Sequence, residues 1–438
     1  MLDRQPAAAN HPKTSNRQAS VFGGQTPKHG LDRPERSTSV IPARVVFLTH
    51  YVPLYQVQVL RAIAQRVREF HVLLSTPIEP NRNFELDWDG LSVAVQKTVT
   101  LRRRWTHRGV DSKQSFRDPL FVHVPFDTGS QLRRLNPDVV MSLELGARSL
   151  GAIRYCSRHT RTKSILCTYM SEHTERSRGR LRKHLRRYLI RRADAVTYNG
   201  PSCQAYLRTL GASKDQLYQL PYAADDRTVY RGSVRRDDLE TRHRLLTVGQ
   251  LTERKGVLPM LRQVSDFCRR HPDRTIELAL AGDGPLRAEI EQFSAADNLH
   301  IHVLGSLRPD QVRDQMARCG ALIAPTLADE WLLVVNEALQ AGLPVIGSVY
   351  AQAVTTLVRD GINGWQYRPE SAGSLSRTLD RYFAESAASL LEMRQRCRES
   401  VSHCTPRWAA EGAVEAIAAV IGDADRHPPT VDSITEPR

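Results

Sequence analysis

The chain predicts an α/β protein: two doubly wound domains facing a cleft, followed by a helical C-terminus. Three observations lead there. Short apolar runs alternate with helical patterns over residues 44–225. A polar stretch interrupts the alternation, which restarts at Leu245. Beyond Pro369 the pattern is helical almost throughout. Short runs that are apolar on both faces belong to parallel strands covered by helices, and a βαβα order gives an open parallel sheet.

Taken in order, residues 1–42 are rich in Pro, Gly, Ser, Asn, Gln and charge, a composition that reads as a disordered tail. The first strand is 44–49. A helix over 55–68 carries Val57, Leu60, Ile63, Ala64 and Val67 on one face. Strands at 70–75, 91–101, 138–142, 164–169 and 195–198 complete a first Rossmann-like domain, 43–225. The polar segment 226–243 reads as a linker. A second such domain, 244–404, has strands at 245–248, 276–281, 300–304, 321–324 and 343–347. An amphipathic helix over 405–424 is expected to return to the first domain, ahead of a tail at 425–438.

Sixty-two Lys and Arg against 47 Asp and Glu leave a net charge of +15, which calls for an anionic partner. A phosphorylated substrate, a membrane surface and nucleic acid all satisfy that demand. The seven cysteines (156, 167, 203, 268, 319, 397, 404) show no C-x-x-C and no zinc spacing, as expected of buried thiols in a reducing compartment. No apolar run approaches the roughly 18–20 residues of a membrane span, and the first 40 residues contain no signal-type apolar core. The expected location is cytoplasmic, with room for peripheral contact at the inner membrane face.

The residues that suit chemistry cluster in the second half. Gly249-Gln250-Leu251 follows a strand, and Lys255-Gly256 opens the next helix. An amine beside free N–H groups at a helix start suits a diphosphate, although a tight turn with a solvated lysine fits this piece equally well. Gly282-Asp283-Gly284-Pro285 joins another strand to a helix, with glycines that let a ligand approach the backbone; alone it reads as a compact turn. Asp329 follows a strand and Glu337 lies on the next helix. Carboxylates so placed accept strong hydrogen bonds from sugar or ribose hydroxyls, while an acidic helix start complementing its dipole is the plainer reading. Gly249, Lys255, Gly282, Gly284, Gly305, Asp329 and Glu337 all fall at the carboxyl edge of one predicted sheet.

With those residues in place, segment 245–367 resembles glycosyltransferase family 4, retaining nucleotide-sugar transferases of GT-B architecture with a glycosyl transferases group 1 domain. The matching stretches are Val248-Gly-Gln-Leu-Thr-Glu-Arg-Lys-Gly256, Ala281-Gly-Asp-Gly-Pro285 and Ala324-Pro-Thr-Leu-Ala-Asp-Glu-Trp-Leu-Leu-Val-Val-Asn-Glu-Ala338, then Gly342-Leu-Pro-Val-Ile346 and Val358-Arg-Asp-Gly-Ile-Asn-Gly364. The resemblance implies transfer of a sugar from a nucleoside-diphosphate sugar, a co-substrate, to a hydroxyl acceptor, with no cofactor and no metal. It places Lys255 on the diphosphate, Glu337 on the ribose, and Asp329 or its neighbour Glu330 on the donor sugar. Gly249 and Gln250, the Gly282, Asp283, Gly284 and Pro285 loop, Val303 and Leu304 beside the base, and Trp331, Leu332 and Leu333 complete the donor set. The implied setting is polysaccharide or glycolipid synthesis.

Four positions depart from the family pattern. Asp329 replaces a glutamate, Leu332 a glycine, Gln250 an arginine, and Gln352-Ala353 a glycine-rich turn. They leave the donor open. A nucleotide-sugar epimerase or phosphorylase of the same architecture is the rival enzyme. A silent basic module for RNA or anionic membrane is the rival from another class.

On the acceptor side the candidates are His50, Tyr51, Glu172 and His173, each at a strand end of the first domain, where ordinary loop residues fit as well. Between 176 and 192 nine of seventeen residues are Arg or Lys, interleaved with a predicted stripe of Leu181, Leu185, Tyr188, Leu189 and Ile190. Such a helix favours a lipid-linked or phosphorylated acceptor, or anionic lipid, and nucleic acid is disfavoured; a core helix with a solvated basic face is the plain alternative. Asp87-Trp88-Asp89 has the D-x-D spacing of a metal site, but its polar surroundings favour a solvated acidic turn.

Overall fold

The computed structural model describes residues 40–79, 86–108, 115–224 and 239–426; most of the tail 1–42, most of the linker 226–243 and most of the tail 425–438 lie outside the described residues. In the first half the strands are β1 (Ile41–Thr49), β2 (Val67–Leu74), β3 (Ser92–Val95), β4 (Thr98–His107), β5 (Phe116–Pro125), β6 (Val139–Leu143), β7 (Lys163–Cys167), β8 (Ala195–Tyr198) and β9 (Leu217–Gln219). All but β4 and β5 form one parallel sheet, in the order β3-β2-β1-β6-β7-β8-β9. The second half contributes β10 (Arg244–Val248), β11 (Ile276–Ala281), β12 (Leu299–Gly305), β13 (Ala321–Ala324), β14 (Val345–Ser348) and β15 (Gly364–Tyr367). These form a second parallel sheet, ordered β12-β11-β10-β13-β14-β15. Both sheets are doubly wound, with the strand order reversing beside β1 and beside β10, so each carries a crevice at its carboxyl edge.

Helices cover these sheets. The first domain has α1 (Leu54–Ala64), α2 (Thr128–Leu135), α3 (Ala147–Cys156), α4 (Arg180–Arg192) and α5 (Pro201–Leu210). The second half has α6 (Leu239–His243), α7 (Val257–Arg270), α8 (Arg287–Glu291), α9 (Pro309–Arg318), α10 (Val334–Gln340) and α11 (Gln352–Leu357). Three helices end the chain: α12 (Ser374–Ala384), α13 (Ala387–Val401) and α14 (Pro406–Arg426). The last of these packs on the first domain. Ala409, Ala410, Ala413, Ala416 and Ile417 share one core with Val45, Phe47, Met141 and Ile165. Gly412 lets the helix lie directly on β9, where a Cβ would fall 1.7 Å from the Gln219 carbonyl oxygen. An ion pair between Arg66 and Glu411 at 3.1 Å fixes the same contact.

Several predicted bounds move. The helix expected over 55–68 ends at Ala64, because Val67 opens β2 instead of extending the apolar face. The strand expected over 91–101 is two: β3 joins the sheet, whereas β4 leaves it to pair with β5 as a separate antiparallel ribbon. The second strand of that ribbon, β5, and the strands β9 and β15 had no counterpart in the sequence reading. On α4 the inward face is Arg186, Leu189 and Ile190, while Leu181 and Tyr188 point outward at 87% and 43% exposure, so the predicted stripe is wrong at both. Arg186 faces inward because it pairs with Glu175 and reaches the Tyr206 hydroxyl. The Asp87–Asp89 turn is tied to α1, with Arg61 bonded to the Asp87 carboxylate and the Asp89 carbonyl. Among the described residues no helix is long and apolar enough to cross a membrane.

Candidate active site

Two glycine loops build the base of the site. Gly249 donates to the Ala281 carbonyl, and Leu251 to that of Asp283, so the loops after β10 and β11 lie against each other. A side chain at Gly282 would sit 1.9 Å from the Gly249 carbonyl oxygen. Bare backbone is therefore required here for loop-on-loop packing. Pro285 lies in the turn just before α8 rather than within its first turn. Val303 and Leu304 end β12 beside this loop, and Gly305 bridges to Gly282. α7 starts at Gly256 without a side-chain cap, so its first N–H groups have no side-chain acceptor there.

Charge converges directly above. Lys255 Nζ donates to Asp329 Oδ2 at 2.6 Å, and Arg254 Nη1 to the same oxygen at 3.0 Å. Arg254 also donates from Nε to Asp118 Oδ2 at 2.6 Å, reaching the β4–β5 ribbon of the first domain. Burial alone would raise the Asp329 carboxyl; Lys255 and Arg254 outweigh it and hold the group down at about 2.

The other two carboxylates behave oppositely. Burial pushes Glu330 up to about 7, helped by the charge of Glu144, and burial alone pushes Glu337 to about 7. The Glu337 carboxyl has no hydrogen-bond or ion-pair partner among the described residues, so its oxygens are available to hydroxyls. Leu332 adopts φ +79°, a left-handed geometry that costs a residue with a Cβ roughly 1–2 kcal/mol. The indole of Trp331 turns from the carboxylates, bonding Asn336 at 2.8 Å and stacking on Tyr222 of the first domain. Leu333 caps α10 without a side-chain bond, and Gln250 lies half-buried beside Gly249.

The first domain meets this edge with the ends of its own strands. His50, following β1, has its imidazole pushed down by burial and stands within charge range of Glu144 and Arg148. Tyr51 is buried edge-on against it, 4.4 Å between rings. Glu172 is exposed. His173 links the halves: Nε2 lies 2.8 Å from the Leu327 carbonyl oxygen, and the ring stacks on Tyr350 at 4.0 Å. It is a strut between the halves, as are Asn199 on the Glu330 carbonyl and Gln352 on that of Tyr169.

Sequence reasoning missed four contributors. Arg254 stood in the quoted motif but was overshadowed by Lys255. Asp118 lies on the unpredicted ribbon. Glu144 follows β6 with φ +69°, and Arg178 stands on the loop before α4, its guanidinium 4.5 Å from the Trp105 ring centre. The position of Glu144 directly after an apolar strand was a readable signal.

Two parallel α/β domains meeting at their carboxyl edges define the GT-B architecture. Solved structures agree: a TM-score of 0.63 relates the chain to Anabaena HepE in complex with UDP (15% identity, 86% of this chain, 100% of that one). It is 0.64 for sucrose-phosphate synthase of Thermosynechococcus elongatus (13% identity, 87% and 100%). The model described as "Glycosyl transferases group 1" matches residues 242–385, and the "Glycosyl transferase 4-like domain" matches 54–223. The chain belongs to glycosyltransferase family 4. It is 25% identical to alpha-D-kanosaminyltransferase of Streptomyces kanamyceticus over 245 residues, 51% of this chain and 63% of that protein. It is 32% identical to the phosphatidylinositol N-acetylglucosaminyltransferase gpi3 subunit of Schizosaccharomyces pombe over 106 residues, 24% and 23% of the two chains. The matches thus span under two thirds of these curated relatives.

Because the folded chain raises Glu337 to about 7, it binds that proton more tightly than the unfolded chain does. The resulting stability is full below the ordinary carboxylate range and is lost as pH rises towards 7. Glu337→Gln should remove this part of the decline, so that the variant melts above the wild type at pH 8. Melting curves across pH 4–8 check it; parallel profiles would refute it.

Proposed function

We propose that the chain transfers a sugar from a nucleoside-diphosphate sugar to a hydroxyl acceptor with retention of anomeric configuration. The observation that carries this is the Lys255 amine on Asp329, above two glycine loops and beside an uncapped helix start. Lys255 and the first N–H groups of α7 stabilise charge on the departing diphosphate. Glu337 receives the ribose hydroxyls, and Asp329 and Glu330 those of the donor sugar. The bond from the anomeric carbon to phosphate oxygen breaks as the acceptor oxygen adds on the same face, and the freed phosphate oxygen takes the acceptor proton. No protein base is needed, and the protein's contribution is positioning and charge. HepE crystallised with UDP-glucose supports a nucleotide-sugar donor.

A thermal-shift panel of UDP, GDP and ADP and their sugars should show stabilisation by one family of nucleotides. Lys255→Ala should abolish it with the protein still folded. Proton NMR of the product should show the donor's anomeric configuration; an isomerised nucleotide sugar or a sugar phosphate would instead favour the epimerase or phosphorylase.

The acceptor we infer carries a phosphate, as in polysaccharide or glycolipid assembly. Arg182 has no hydrogen bond or ion pair among the described residues, and its charge reaches Glu144. Arg178 stands beside it, has only Glu175 at 3.8 Å as a paired acid, and keeps Nε buried and unbonded. Two guanidinium groups with few direct partners, beside Glu144 and Glu330, favour an anionic guest. Arg182→Ala should raise the acceptor KM about tenfold and leave the donor KM unchanged, as steady-state kinetics with phosphorylated and dephosphorylated acceptors would show.

The outer face of α4 fits an anionic lipid surface at the membrane where such acceptors reside. Leu181 projects there among exposed Arg180, Lys183, Arg191 and Arg192. Co-sedimentation with phosphatidylglycerol vesicles, but not phosphatidylcholine vesicles, should fall when Leu181 and Arg191 are both changed to glutamate.

A further inference from the structure

The β4–β5 ribbon belongs to neither sheet, and its outer end rests on the second domain. Phe116 is buried against Leu327 and Ala328. The Arg117 amide donates to Glu253 at 3.0 Å, and Asp118 accepts from Arg254 at 2.6 Å. On the neighbouring strand, Trp105 lies under Arg254, 6.0 Å from guanidinium to ring centre. The result is an alternating row of charge, Asp118, Arg254, Asp329, Lys255, with each side chain between 11% and 17% exposed. Arg254 and Lys255 share a single oxygen of Asp329.

That sharing has a mechanical meaning. Were Asp329 paired with Lys255 alone, a diphosphate could recruit the lysine only by leaving a buried carboxylate without a partner, which is strongly unfavourable. With Arg254 in place, the exchange leaves no charge isolated. Arg254 would itself be free to swing towards the diphosphate, except that Asp118 holds its Nε edge and the Ala328 carbonyl takes a further bond from Nη1 at 3.2 Å. One remaining contact of Asp329, Oδ1 with the Trp331 amide at 3.3 Å, keeps the carboxylate oriented.

We propose that Asp118 and Arg254 are an inter-domain positioning pair: the ribbon of the first domain fixes Arg254, and Arg254 keeps Asp329 in place when a diphosphate takes over Lys255. Donor engagement thereby depends on the seating of the ribbon. This rests on the donor-site reading above and adds to it residues from the other half of the molecule.

The test compares Asp118→Asn, which keeps the shape and removes the charge, with Arg254→Lys and the double variant. Each is titrated with the nucleoside diphosphate that stabilises the wild type, and each is assayed for separate donor and acceptor KM. Both single variants should melt close to the wild type, with kcat/KM for the donor down about 10- to 100-fold and the acceptor KM unmoved. The double variant should be no worse than Arg254→Lys, as expected of groups acting in series. In the wild type the Arg117 amide should gain protection from hydrogen exchange on addition of the nucleotide, and this gain should be lost in Asp118→Asn. Unchanged donor parameters, equal rises in both KM values, or multiplicative losses in the double variant would overturn the pair while leaving the donor site standing. A wild type that binds no UDP, GDP or ADP would overturn the donor site, and the pair with it.

Discussion

A single carboxylate, Asp329, bears two cations at the seam between two sheets, and the arrangement of the site follows from keeping that group charged. An aspartate removed from water resists ionisation unless positive charge is brought to it. Here Lys255 and Arg254 come from the loop after β10, and Asp118 reaches in from the opposite domain to hold the second of them. Parallel sheets make this economical, because every β-to-α loop leaves from the same edge. Residues distant in sequence converge without any long excursion of the chain.

The same logic explains why Glu330 and Glu337 differ from Asp329. Among the described residues no cation bonds either one, so burial pushes both towards neutrality. A carboxyl near 7 can donate as well as accept, which suits hydroxyl partners whose own donors and acceptors vary. Structure and function pull against each other at these positions, and also at Leu332, where a side chain occupies a backbone geometry that a glycine would adopt at lower cost.

The regular parts of the fold were legible because their signal is local. Val45 to Leu48, Val139 to Leu143 and Leu245 to Val248 are short, mostly apolar runs, and such runs become buried parallel strands. Lys255, Asp329 and the glycine loops were legible because strand ends in sequence become neighbours in space. β4 reads Thr-Val-Thr-Leu-Arg-Arg-Arg-Trp-Thr-His, mostly exposed, so it has no buried face to impose a pattern; only its start, within 91–101, was legible, and β5 was not. With it went Asp118, whose meaning depends entirely on a partner 136 residues away. On α4 the apolar periodicity misled, since Arg186 is buried through its pairing with Glu175, and pairing leaves no hydropathy signature.

The family pattern has an arginine where this chain has Gln250, and the structure shows a guanidinium at the site all the same. It belongs to Arg254, four residues further along the same loop, and it bonds Asp329. Arg254 takes one of its two carboxylate partners, Asp118, from the first domain. Moving positive charge along the loop therefore changes more than its location: it ties the electrostatics of the donor side to the contact between domains. Such a site is complete only when both halves are in register.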